Sequence, residues 1–171
     1  MRVGKSSRFA LAALLLASCT AASDATPVRT TPPPPVSSAP QPSFPGEVTK
    51  VLSQVDADRL LHNKGVSLQW IDWNTRGTAV VSQREGLWQL RAAQAQPNGA
   101  GRLLLDGALL EIGEGYFTFR GTIRIVDTPD PGRACEATKT WHFAVTQNRP
   151  YYRLREFEWC DGLTDYVDIY F

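Results

Sequence analysis

The chain has 171 residues, with 18 basic and 17 acidic side chains and a formal net charge of +1. Setting aside Arg2, Lys5 and Arg8 leaves 15 cations against 17 anions, which excludes the basic excess expected of a nucleic-acid binder. Three cysteines and 12 prolines organise the rest.

Residues 1–18 have the parts of a secretory signal peptide. A cationic start, Arg2, Lys5 and Arg8, precedes an apolar stretch from Phe9 to Ala17. The stretch is too short to cross a bilayer, which takes about 20 apolar residues, and no later stretch is long enough. It ends in Leu16-Ala17-Ser18-Cys19. This pattern resembles the lipobox of bacterial lipoproteins. The resemblance implies cleavage before Cys19, a diacylglycerol on its sulfur and an acyl chain on its new amino group. Several buried chains anchor stably, at about 0.8 kcal/mol per buried methylene. Thr20, not Asp, follows the cysteine. By the same resemblance this implies an outer-membrane destination facing the periplasm, with the bilayer as first partner.

Residues 19–45 read as the lipid anchor and a disordered proline-rich linker. Pro27, the run Pro32-Pro33-Pro34-Pro35, Pro40, Pro42 and Pro45 stand among Ser, Thr and Ala. That composition cannot bury enough apolar surface to offset its ordering entropy. As polyproline II its full reach is on the order of 80 Å.

Residues 46–171 are long enough for one domain with its own core. Cys135 and Cys160 are an even pair in an exported chain, which predicts a disulfide. The spacing of Val48, Val51, Leu52 and Val55 predicts a helix over about 47–63, with Asp56 a candidate cap for a second short helix. Strands follow: residues 66–70, 78–82, 87–96 and 102–112, the last broken or bulged at Gly107. Residues 116–126 alternate most cleanly, with Phe117, Phe119, Ile123 and Ile125 on one face. Residues 135–145 alternate too, except that Lys139 interrupts the apolar face. The phase shifts between Tyr152, Leu154 and Phe157, Trp159, which predicts a bulged strand over 151–159. Residues 164–171 read as a final strand. The fold expected is mainly β: an antiparallel up-and-down sheet curled into a barrel or half-barrel, with one N-terminal helix. A two-sheet sandwich is the alternative.

Chemistry is sparse. His142 is the only histidine among the strands, and no Gly-x-Ser-x-Gly turn, His-x-His or four-ligand metal set occurs. The acidic residues near the C-terminus, Glu156, Glu158, Asp161, Asp165 and Asp168, read as turn caps and partners of Arg149, Arg153 and Arg155. No catalytic residue, metal or cofactor is indicated. The one recognition patch is Tyr151, Arg153 and Arg155, which share a strand face in a composition typical of contact hot spots. Arg120 and Arg124 extend it if their strand lies nearby.

The function expected is a non-enzymatic binding or interaction module of the bacterial cell envelope, contacting another envelope protein or a cell-wall component. The alternative is a carrier of a small apolar ligand. Gly86-Leu87-Trp88 is similar to the Gly-x-Trp at lipocalin openings. That resemblance implies a cavity of about 300 Å³ or more lined by Trp and Phe. A third reading is an inhibitor of lysozyme or another envelope-directed enzyme. The Ser- and Lys-bearing motif of membrane-bound lysozyme inhibitors is not visible here.

Overall fold

The computed structural model describes residues 47–171. The readings for the signal peptide, Cys19 and the proline-rich linker lie outside the described residues.

The strands are β1 (Lys50–Val51), β2 (Val66–Leu68), β3 (Thr78–Arg84), β4 (Leu87–Ala95), β5 (Arg102–Gly113), β6 (Tyr116–Val126), β7 (Ala134–Val145), β8 (Tyr151–Leu154) and β9 (Val167–Tyr170); the helix α1 is Gln54–Leu61. From β3 to β9 each strand pairs antiparallel with the next, and β2 adds beyond β9. The alternation that defined β6 is realised in full: Phe117, Phe119, Ile123 and Ile125 have no solvent exposure. Phe117 stacks on Phe143 of β7 at 4.8 Å and meets the ring of Tyr152 of β8 edge-on at 5.3 Å. Trp141, also fully buried, adds the largest side chain of this interior.

The two ends of the sheet nearly meet. A single bridge joins Val66 of β2 to Gly77, just before β3, with N–H···O distances of 3.2 and 2.8 Å. The approach is close enough that a Cβ on Gly77 would lie 2.0 Å from the Ala93 carbonyl oxygen. Among the described residues the seam carries no strand pairing beyond Gly77, so the result is an eight-stranded barrel with one unsealed seam. Gln94 spans this region from inside. Its Oε1 accepts from the Leu68 amide at 2.6 Å, and its Nε2 donates to the carbonyls of Asp72 and Thr75 at 2.9 and 2.8 Å. A buried amide with its groups paired holds the ends together at little cost.

Three expectations are corrected. The helix is shorter than 47–63, because β4 starts at Leu87 and leaves the β5 edge open past Leu109. β1 pairs there in parallel, Lys50 with Glu111 and Val51 with Ile112. Backbone groups seeking partners overrule the helical spacing, and Val48, Leu52 and Val55 stay 67, 57 and 62% exposed. Ser53, not Asp56, caps α1; its hydroxyl accepts from the Asp56 amide. The helix buries Ala57 and Leu60, packs on β3 and β5, and reaches Tyr152 of β8 through Asp56. It therefore lies over one end of the barrel.

β5 runs unbroken through Gly107; the irregularity falls between Leu109 and Glu111. Gly107 instead faces Gly121 of β6, which faces Lys139 of β7. A Cβ on Gly121 would lie 2.4 Å from the Asp106 carbonyl oxygen. The bare backbone lets the Trp141 indole donate to the Gly121 carbonyl at 2.9 Å, with the Lys139 ammonium 4.3 Å above its ring. That places a lysine on the apolar face without burying its charge.

The third correction concerns β8, which ends at Leu154 rather than 159. The shift in alternation marks the end of a strand, not a bulge. Residues 155–166 form a loop, and Cys160 lies in it. The disulfide Cys135–Cys160 therefore ties the start of β7 to this loop, with Cα atoms 5.9 Å apart. Arg133, 5% exposed, forks onto Asp161 and the fully buried Asp165, each contact at 2.8 or 2.9 Å. Trp70 donates to the same Asp165 carboxylate at 3.0 Å.

Candidate functional site

Tyr152 and Leu154 point into the core, so Tyr151 and Arg153 occupy the outer face of β8. Arg153 stands opposite Asp168 of β9. Its Nε and Nη2 donate to the two carboxylate oxygens at 2.8 and 2.7 Å. This outer face is not open to water here. The rings of Tyr166, Tyr151 and Trp73 lie 4.1, 5.1 and 5.7 Å from the Arg153 guanidinium, leaving Arg153 11% and Asp168 0% exposed. Burial pushes the Asp168 carboxyl pKa up, against the pull of Arg153 and, more weakly, Arg149.

Beside this pair opens a cleft of about 370 Å³, lined by Gln147, Arg149, Arg153, Arg155, Phe157 and Tyr166, among others. The β7–β8 turn builds one wall. Gln147 and Asn148 both have positive φ, 54° and 53°, and the Arg149 amide closes the turn onto the Thr146 carbonyl at 3.1 Å. Two such residues make the hairpin tight, with a twist that suits its strands. The loop after β8 builds the other wall, where Phe157 and Tyr166 contact at 5.6 Å. The Arg155 amide donates to the His142 carbonyl at 2.8 Å, which fixes its backbone.

The charge is one-sided. Among the described residues, no carboxylate lines the cleft. The Tyr151 hydroxyl accepts from Arg149 at 2.7 Å and from Arg153 at 3.3 Å, so one neutral oxygen serves two guanidinium groups. Among the described residues, the Arg155 guanidinium has no ion pair or hydrogen bond to protein. Asp168 is bonded to Arg153 and not to Arg149 or Arg155, so one carboxylate stands against three guanidinium groups, an excess of two positive charges.

The structure thus brings Tyr151, Arg153 and Arg155 to one place and adds Arg149, Phe157 and Tyr166. Arg149 shares the odd-numbered face of the other three, and that parity was the available signal. Phe157 and Tyr166 come from a loop whose folding depends on distant partners, and no local pattern marks them. Arg120 and Arg124 do not join: β7 separates their strand from β8, and Arg124 pairs with Glu136 at 3.2 Å. His142 is bonded through ring and amide to Glu156, whose pKa burial raises but these bonds hold low on balance. Cys135, Cys160 and Asp161 lie close enough to share an ion, but the sulfurs are bonded to each other and Asp161 is held by Arg133.

A second network lies under α1. Asp56, 3% exposed at its side chain, accepts from the Tyr152 hydroxyl at 2.6 Å and from Arg59 at 3.1 Å. Burial opposes its ionisation, yet the bonds from Ser53, Tyr152, the Gly115 backbone and Arg59 bring its pKa below the ordinary value. Tyr152 is driven up, chiefly by burial and then by Asp56. These groups fasten the helix to the barrel.

The fold and cleft define a class: a nearly closed antiparallel β-barrel with a cationic, aromatic-walled groove on its outer face. The chain belongs to the PM1083 family, whose family model matches residues 48–171. It is 33% identical over 116 residues to the "Uncharacterized protein PM1083" of Pasteurella multocida (strain Pm70), an alignment covering 67% of this chain and 74% of that protein. No solved structure matches the chain.

Proposed function

We propose that this protein is a lipid-anchored, non-enzymatic binding module of the bacterial cell envelope. Acylated Cys19 holds it at the outer membrane on the periplasmic side, and the β8 cleft is its contact face. The observation that carries the binding half is the cleft itself, which gathers three arginines and two aromatic rings with no lining carboxylate among the described residues. The tether half rests on the Leu16-Ala17-Ser18-Cys19 pattern and on the disulfide, a bond suited to an oxidising compartment. Trp141, Tyr152, Phe117, Phe119 and Phe143 occupy the barrel interior without solvent exposure. A carrier needs space where those rings stand, so the outer cleft is favoured over an internal ligand.

Two measurements test the reading. On phase separation in detergent, wild type is expected in the detergent phase and Cys19→Ala in the aqueous phase. A photo-crosslinking side chain at Gln147 is expected to capture an envelope component in intact cells, and to lose it when Arg149 and Arg155 are both changed to Gln. Aqueous partition of wild type, or crosslinking indifferent to both arginines, contradicts the proposal.

A further inference from the structure

We infer that the cleft is a phosphate site: it takes the phosphoryl dianion of a phosphomonoester, whose attached group lies along Phe157 and Tyr166. This rests on the cleft being the contact face proposed above.

The charge balance selects the ligand. With Asp168 paired to Arg153 from beneath, two positive charges remain, and among the described residues neither is met by an acidic group in the lining. A carboxylate neutralises one of them. A phosphomonoester, at about −1.5 to −2, neutralises both and offers three acceptor oxygens. Guanidinium groups suit such oxygens through paired N–H donors.

Two of the three donors are also held in place. Arg153 is fixed by two bonds to Asp168 and by three rings around it, and Asp168 uses its Nε and Nη2. Among the described residues, its Nη1 has no acceptor. Arg149 is steered by the Tyr151 hydroxyl, which it shares with Arg153. Like charges are thus gathered around one neutral oxygen. Ordering them has been done by the fold, so a ligand need not do it again. Arg155 is the third donor, at the exposed rim and without an ion pair among the described residues.

The test titrates the full-length protein in detergent, by calorimetry, with phenyl phosphate, dihexanoyl phosphatidate and benzoate. Saturable binding of a phosphate ligand is expected, with benzoate about tenfold weaker. Arg149→Gln and Arg155→Gln are each expected to weaken the phosphate ligand about tenfold with an unchanged circular dichroism spectrum. Binding of phosphatidate alone assigns the phosphoryl group to a lipid headgroup; binding of phenyl phosphate as well assigns it to soluble phosphomonoesters. Benzoate binding as tightly as phenyl phosphate, or phosphate binding indifferent to both variants, overturns the inference. If no anion binds while the Gln147 crosslink persists, the phosphate inference falls and the contact face stands. If both fail, both readings fall.

Discussion

Arg153 and Asp168 face each other across β8 and β9, and the two bonds between them, at 2.8 and 2.7 Å, are almost sealed from water. Arg153 lines the cleft, and its bonds to Asp168 join β8 to β9 in the barrel wall. A fully buried carboxylate without its partner is costly, whereas the intact pair contributes little net stability. Arg153→Ala is therefore expected to cost about 3–5 kcal/mol, read as a shift in urea midpoint. Arg155→Ala, at an exposed position with no ion pair among the described residues, is expected to cost under about 0.5 kcal/mol. Equal losses in the two variants would contradict this division between scaffold and contact residue.

Acid stability depends on the Arg133 fork. Hydrogen bonds from Arg133 bring the Asp161 pKa from an ordinary 3.8 to about 2. Because the folded value is depressed, the folded chain binds fewer protons than the unfolded chain in that window. The contribution is present above the ordinary value and is lost as pH falls toward about 2. Asp56 shifts in the same direction, and Asp168, whose pKa is raised, in the opposite one. Asp161→Asn is expected to flatten the fall of the thermal midpoint across this range while leaving an amide oxygen for Arg133. An unchanged slope would remove Asp161 from the account.

The disulfide spans 25 residues and holds the loop that carries Phe157. Replacing Cys135 and Cys160 together by Ser is expected to cost roughly 3 kcal/mol in the chain-entropy description. The β-sheet circular dichroism signal should persist, because the β5–β6–β7 core does not depend on the bond. Ligand binding at the cleft should weaken, since one wall is released. Full retention of both stability and binding would show that the loop is held without the disulfide, by the bonds of Arg133, His142 and Trp70.

Gln94 supplies three hydrogen bonds where the barrel seam lacks strand pairing. Gln94→Leu leaves the Leu68 amide without its acceptor, and an unpaired buried donor costs about 1–3 kcal/mol. Hydrogen exchange should quicken first at Leu68 and Gly77, ahead of β6. Uniform quickening across the barrel would mean that the seam is not a separate weak point.

The sheet was largely legible because its signal is local. Phe117, Phe119, Ile123 and Ile125 alternate with Thr118, Arg124 and their neighbours, and a half-buried strand needs nothing more. The helix was overextended because Val48, Val51, Leu52 and Val55 carry helical spacing, while the deciding fact was distant: an unpaired β5 edge at Glu111 and Ile112. The candidate site was half visible. Tyr151, Arg153 and Arg155 share parity in the sequence, although β8 ends before Arg155; the partner that removes Arg153 from solvent sits 15 residues on, and the rings that cover it come from separate loops. Parity shows which side chains share a face. It does not show which of those faces is later roofed over.

The most direct test of a tethered module is the mass of the N-terminal peptide recovered from native membranes. The account predicts a chain beginning at Cys19, with a diacylglycerol on its sulfur and an acyl group on its amine. An unmodified Cys19 thiol, or a chain that begins beyond it, would contradict the anchor and with it the placement of the barrel at a membrane.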